Sequence, residues 1–103
     1  MKQPDTCLTL VCAHELAEMV IDVLLEHEDI VHRFGSHPIA AHGARIGYAN
    51  IAEQVRGSSR RAEFQLLMAL ADIETLLAAL RQQLPRAEIT YWALPLLAYG
   101  SIS

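Results

Sequence analysis

Cys12, His14, His37 and His42 carry the donor atoms of a transition-metal site in this 103-residue chain. Imidazole and thiolate suit copper, zinc, nickel or cobalt, so a divalent transition metal is the cofactor these residues would take. The spacing is not that of a motif. The chain has no Cys-x-x-Cys and no His-x-x-x-His pair, and Pro38 separates His37 from His42. Surface histidines hydrogen-bonded to loop backbone are the alternative reading. A second group is cationic: Arg45, Arg56, Arg60 and Arg61, with Glu53, Gly43 and Gly57 among them. Arginine forks fit carboxylate and phosphate, so these residues suit a small anionic ligand or an acidic surface on a partner. A solvated loop paired with Glu53 and Glu63 is the alternative. His42-Gly43 also reads as a backbone device, the glycine permitting the turn that opens a loop.

Catalysis finds little support. A Cys12–His14 thiolate pair is conceivable, but residues two apart at a helix start rarely face each other. A cysteine on an apolar strand is more often a small buried hydrophobe. No Ser-His-Asp set has a recognisable spacing, and no nucleophile elbow or arginine-bearing phosphate loop follows the first strand. The chain reads as a non-enzyme.

Most of these groups fall in residues 32–61, which hold three of the five histidines, five of the seven arginines and four of the five glycines. A polar stretch of that length inside so small a domain is functional or disordered. Its glycines, serines and sparse apolar residues predict mobility over residues 43–58.

The flanking segments must position it. Residues 6–12 alternate as a first strand, with Leu8, Leu10 and Cys12 on one face and Cys7, Thr9 and Val11 on the other. Residues 14–27 place Leu16, Val20, Val23, Leu24 and His27 on a helical stripe. Residues 31–37 form a second strand that Pro38 closes. Residues 61–68 alternate as a third strand. Residues 72–84 form a second helix with a stripe of Ile73, Leu76, Leu77, Leu80 and Leu84. Asp72 stands near its start, as a cap or a dipole complement. Residues 88–92 form a fourth strand, and an apolar tail follows. The order β-α-β-β-α-β predicts one α+β domain over residues 1–103. Its architecture is a ferredoxin-like sandwich with a long loop between strands two and three. That topology brings the ends of strands one and two and the starts of strands three and four to one edge. His27 and His32 fall at the other.

The strands are apolar on both faces, as Leu10 beside Val11 and Leu66 beside Leu67 show. A sheet solvated on one face alternates more sharply, so the open face is expected to pack on another subunit. The net charge of −4 argues against a nucleic-acid partner. No apolar run approaches the ~18 residues of a membrane span, which excludes membrane insertion by a helix. The N-terminal stretch is too polar for a secretory signal. The chain reads as cytoplasmic, with reduced thiols.

The strand and helix order, the long loop and the ending Trp92-Ala93-Leu94-Pro95-Leu96 resemble the PII signal-transduction superfamily over nearly the whole chain. Shorter pieces carry a closer likeness. They are Cys7-Leu8-Thr9-Leu10-Val11, Ser36-His37-Pro38, His42-Gly43, Glu53-Gln54-Val55-Arg56-Gly57, Ile89-Thr90-Tyr91-Trp92 and Pro95, in that order. They are similar to short PII-like proteins found beside heavy-metal efflux systems of the resistance-nodulation-division type. The resemblance implies a homotrimer with the open sheet faces turned inward. It implies a flexible loop, the T-loop, that docks on a transporter or enzyme, and ligand clefts between subunits near the loop base. The function it implies is sensing of a small ligand or metal ion and modulation of a membrane efflux transporter. A metal-binding tolerance protein of the copper-tolerance type, on the same trimer, is the alternative. The glycine-rich nucleotide turn of the nitrogen-regulatory PII proteins is missing, and Leu84-Pro85-Arg86-Ala87-Glu88 stands in its place. Backbone amides approach phosphate through glycine or a helix N-terminus, so ATP or ADP binding in the usual way is not expected.

Overall fold

The structure, a computed structural model, describes residues 3–43, 51–52 and 59–103. Its elements run β1 (Thr6–Ala13), α1 (Ala17–Glu26), β2 (Val31–Ala41), β3 (Ser59–Met68), α2 (Ile73–Gln83) and β4 (Thr90–Pro95). A single turn of 3-10 helix leads into each α-helix, over His14–Leu16 and Leu70–Asp72. The strands form one sheet in the order β2-β3-β1-β4, each antiparallel to its neighbour. This is the ferredoxin-like α+β plan.

The pleat sends every second residue of a strand to the same side. Leu8, Leu10 and Cys12 of β1 therefore stand level with Leu66, Phe64 and Ala62 of β3. The helices close over them with Val20, Val23 and Leu24 of α1 and Ile73, Leu76, Leu77 and Leu80 of α2, all buried. Burying each of the larger side chains contributes roughly 1.5–3 kcal/mol, and this layer is the core.

The other face of the sheet is uncovered, and the registers arrange it in rows. One row runs Arg33, Leu67, Cys7, Leu94 across β2, β3, β1 and β4; the next runs Gly35, Gln65, Thr9, Trp92; a third runs His37, Glu63, Val11, Thr90. The two thiols lie on opposite faces, Cys7 in the first row and Cys12 in the core.

The largest departures from the expected boundaries fall in β2, β3 and β4. β2 does not stop at Pro38 but runs through it to Ala41. It is an edge strand, where a proline's missing N–H can face outward without breaking a ladder bond. The longer β2 carries β3 with it, so that β3 begins at Ser59, opposite Ala41. β4 runs over Thr90–Pro95 rather than residues 88–92, paired with β1 from Val11 to Thr6, and a turn closed by Ala87 N–H on the Leu84 carbonyl lies ahead of it. Asp72 makes no side-chain cap on α2. The Leu70 N–H at the start of the preceding turn donates instead to Asp5 Oδ1, at 2.8 Å. The expected mobility of residues 43–58 concerns a segment lying, but for Gly43 and residues 51–52, outside the described residues.

Candidate functional site

The chain converges at the end of the sheet where β1 and β2 finish and β3 and β4 begin. Ala13 pairs with Arg61, Ala41 with Ser59, and Val11 with Thr90. His14, His42, Gly43, Arg60, Arg61, Arg86 and Glu88 all belong to this end. Gly43 has φ of 139°, a conformation that strains any L side chain. Its role is therefore the backbone one: it turns the chain away from β2.

A cleft of about 410 Å³ opens here, between the end of β1, the start of β3 and the α2–β4 connection. Leu16, Met19, Leu84 and Pro85 give it apolar walls, and Arg61, Arg86 and Glu88 give it charge. Leu84 ends α2, Pro85 prevents its continuation, and the turn at Ala87 brings Arg86 and Glu88 to the mouth. Arg61 is half-buried and Arg86 exposed. Two guanidinium groups beside an apolar wall fit a small organic anion, its carboxylate or phosphate on the arginine forks and its carbon body on Leu16 and Met19. The connection holds no glycine, and among the described residues no side-chain-bearing residue has positive φ. It does not make the concave backbone nest that holds a polyphosphate.

The metal-ligand candidates do not come together. Cys12 is wholly buried on the helix side. Burial pushes its thiol up from the ordinary range, nearby Arg61 partly offsets this, and Glu15 adds to it. Cys12 is a neutral packing residue, the small buried hydrophobe that its place on an apolar strand suggests. His37 lies on the uncovered face, its Nε2 3.5 Å from Glu63 Oε1, with the sheet between it and Cys12. The sequence reading placed His37 at the converging end. The extension of β2 to Ala41 leaves it inside the strand. At ~3.3 Å per residue, His37 and His42 stand ~16 Å apart along the chain. That is too far for both to reach one ion with bonds of ~2.0 Å. Among the described residues no group of three or more His, Cys, Asp or Glu is placed to hold a metal ion. Arg45, Glu53, Arg56 and Gly57 lie outside the described residues.

The far end of the sheet carries the remaining histidines. His27 Nδ1 donates to the Val23 carbonyl at 2.9 Å and closes the last turn of α1. His32 Nε2 shares a 2.9 Å hydrogen bond with the Tyr99 hydroxyl of the tail. Sequence reasoning missed the groove along β2 between Arg33 and His37, about 370 Å³ over Gly35. Strict alternation from Arg33 through Gly35 to His37 was the available signal.

Among the described residues no helix is long and apolar enough to cross a membrane. Comparison with curated proteins finds no match. Among solved structures the fold recurs in a DUF3240 family protein from Shewanella baltica, at 20% identity and a TM-score of 0.78 over 99% of this chain and 100% of that one. It recurs in CPII, a nitrogen regulatory PII-like protein from Thiomonas intermedia solved with ADP, AMP and bicarbonate. There the identity is 11% and the TM-score 0.69, over 96% of this chain and 97% of that one. CutA1 from Pyrococcus horikoshii is similar at 14% identity and a TM-score of 0.67, over 92% and 86%. At these identities the likeness is one of fold, and fold does not carry function with it. The sequence pattern of DUF3240, a family of proteins of unknown function, matches residues 2–103, and the chain belongs to that family.

Proposed function

We propose that this chain is a PII-like regulatory protein. It binds a small organic anion in the cleft beside Arg61 and Arg86 and relays occupancy to a partner through the segment between β2 and β3. The observation that carries the reading is the position of Arg61. It lines the cleft and stands two residues from Ser59, where β3 begins. An anion gripped by Arg61 therefore acts directly on the base of that segment. The assembly is a homotrimer with the uncovered sheet faces inward, which would bury Leu67, Cys7, Leu94 and Trp92. The partner is a membrane efflux transporter for heavy metals, contacted by Arg45, Glu53, Arg56 and Gly57. The role is binding of a ligand, and nucleotides are poor ligands for want of a glycine turn.

The alternative, a metal-buffering tolerance protein of the copper-tolerance type, rests on the exposure of His37 and His42. Held apart along β2, each would need ligands from another subunit.

A thermal-shift panel of small carboxylates, inorganic phosphate, adenine nucleotides and divalent transition metals tests these readings. A ligand at 100 times its Kd stabilises by ~2.7 kcal/mol, so even modest affinities register. The expected result is stabilisation by an organic anion that Arg86→Ala abolishes. Removing residues 44–57 should leave that stabilisation intact and end capture of the transporter. A panel in which only metals act, with the effect lost in His37→Ala/His42→Ala, favours the alternative. Anion stabilisation that persists in Arg86→Ala refutes the cleft.

A further inference from the structure

Among the described residues nothing requires Gly35 to be a glycine. It lies in β2, an edge strand, where glycine costs stability. Among the described glycines only Gly43 has positive φ, so the backbone does not require it. A Cβ built on Gly35 meets nothing within 4 Å, so no neighbour requires it either. The register irregularity of β2 falls between Val31 and Arg33, not here. A strand glycine with none of these causes marks a place that something outside the strand approaches closely. What it leaves open is the groove of about 370 Å³ between Arg33 and His37, floored by Gln65 and Leu67.

The complement to that groove lies at the other end of the same row. Gly35 stands beside Gln65, Gln65 beside Thr9, and Thr9 beside Trp92. Trp92 is the chain's single tryptophan. It sits on the opposite edge strand, β4, with 44% of its surface exposed. A closed ring of identical copies is joined head to tail and has no translation along its axis. A ring whose axis lay along the strands would set β4 of one copy beside β2 of the next with the rows level. The row that ends in Trp92 would then meet the row that begins with Gly35.

We propose that Trp92 of one copy packs into the Gly35 groove of the next and sets the register of the ring. The inference rests on the ring assembly given above and names the contact that specifies it. The electrostatics match. Arg33, on the groove wall, presents a guanidinium to the electron-rich face of the indole. In the adjoining row Leu94 meets the aliphatic stem of Arg33. An indole buries about 150–250 Å², well short of the ~1,200 Å² of a stable interface. The rest comes from the apolar residues of the uncovered face, and Trp92 acts as the central anchor.

The single tryptophan makes the contact readable in the whole protein. Sedimentation and tryptophan emission are followed together on dilution. The expected result is a ring whose emission is blue-shifted and moves to the red in step with dissociation. Trp92→Ala should raise the dissociation constant about 30-fold or more. A Cβ at position 35 meets no described atom within 4 Å, so Gly35→Leu should keep the monomer's circular dichroism while filling the groove, weakening the ring and shifting emission to the red. A ring with red emission, or a Gly35→Leu protein that assembles like the parent, overturns the contact and leaves the ring reading standing. A monomer at every concentration overturns both.

Discussion

Asp5 is expected to matter more to stability than an exposed residue ahead of the first strand would suggest. Its N–H donates to the Met68 carbonyl at 3.2 Å, and its own carbonyl accepts from Leu96 N–H at 2.9 Å. These are backbone bonds that survive substitution. The carboxylate adds two more through Oδ1, accepting from the Leu70 N–H at 2.8 Å and the Thr6 hydroxyl at 2.9 Å. Leu70 opens the turn that leads into α2, and neither Ala69 nor Asp72 supplies a side-chain cap there. Asp5 thus satisfies an orphan donor at a helix start from 65 residues away. Losing a cap costs about 1 kcal/mol, and a hydrogen bond to a charged acceptor is worth somewhat more. The site is solvent-exposed, so the lower figures apply. Asp5→Ala should cost about 1–2 kcal/mol, which for a domain of this size lowers Tm by roughly 4–15 °C. Asp5→Asn keeps an acceptor oxygen and should lose less than half as much. Thermal and urea melts followed by circular dichroism at one protein concentration measure both, with the urea m-value unchanged. A Tm within about 1 °C of the parent, or an asparagine variant as damaged as the alanine one, refutes the reasoning.

Two further outcomes follow from the geometry. Burial raises the Cys12 thiol above its ordinary 9.0. In the window above that value the unfolded chain therefore holds fewer protons than the folded one. Stability should be full below the window and fall as pH rises through it, and urea melts on Cys12→Ala should show that decline flattened. Pro38→Ala should change stability by no more than about 0.5 kcal/mol, since an edge-strand position tolerates either residue; a larger loss in chemical denaturation would show that Pro38 is needed where it stands.

The elements were legible wherever one face of a segment is buried, because burial writes its period into the chain. Leu8, Leu10 and Cys12, Phe64 and Leu66, Val20, Val23 and Leu24 of α1 and Ile73, Leu76, Leu77 and Leu80 of α2 occupy the core as their spacing predicts, whereas Leu16 and Leu84 pack at its margin and His27 closes the last turn of α1. The failures at Pro38 and Asp72 share a cause: each turns on a neighbour distant in sequence. Pro38 reads as a terminator until the strand order puts β2 at the edge. Asp72 reads as the cap of α2 until Asp5 takes that work across the fold. The convergence of Arg61, His42 and Arg86 at one end was readable from topology, but the place of His37 depended on the length of β2. Four more residues of strand moved it off that end and away from His42. The alternation of Arg33, Gly35 and His37 put Gly35 on one face, but only the cross-strand pairing set it in one row with Trp92.

The proposed binding of an organic anion between Arg61 and Arg86, at the end of the sheet that bears the long connection, is open to amide shift mapping of the labelled protein, titrated with a dicarboxylate and separately with inorganic phosphate. Saturable shifts centred on Ala13, Leu16, Arg61, Arg86 and Ala87, lost in Arg86→Ala, are expected. Shifts centred instead on Asp29, His32 and Ala69 at the far end, or none with either anion, would contradict it.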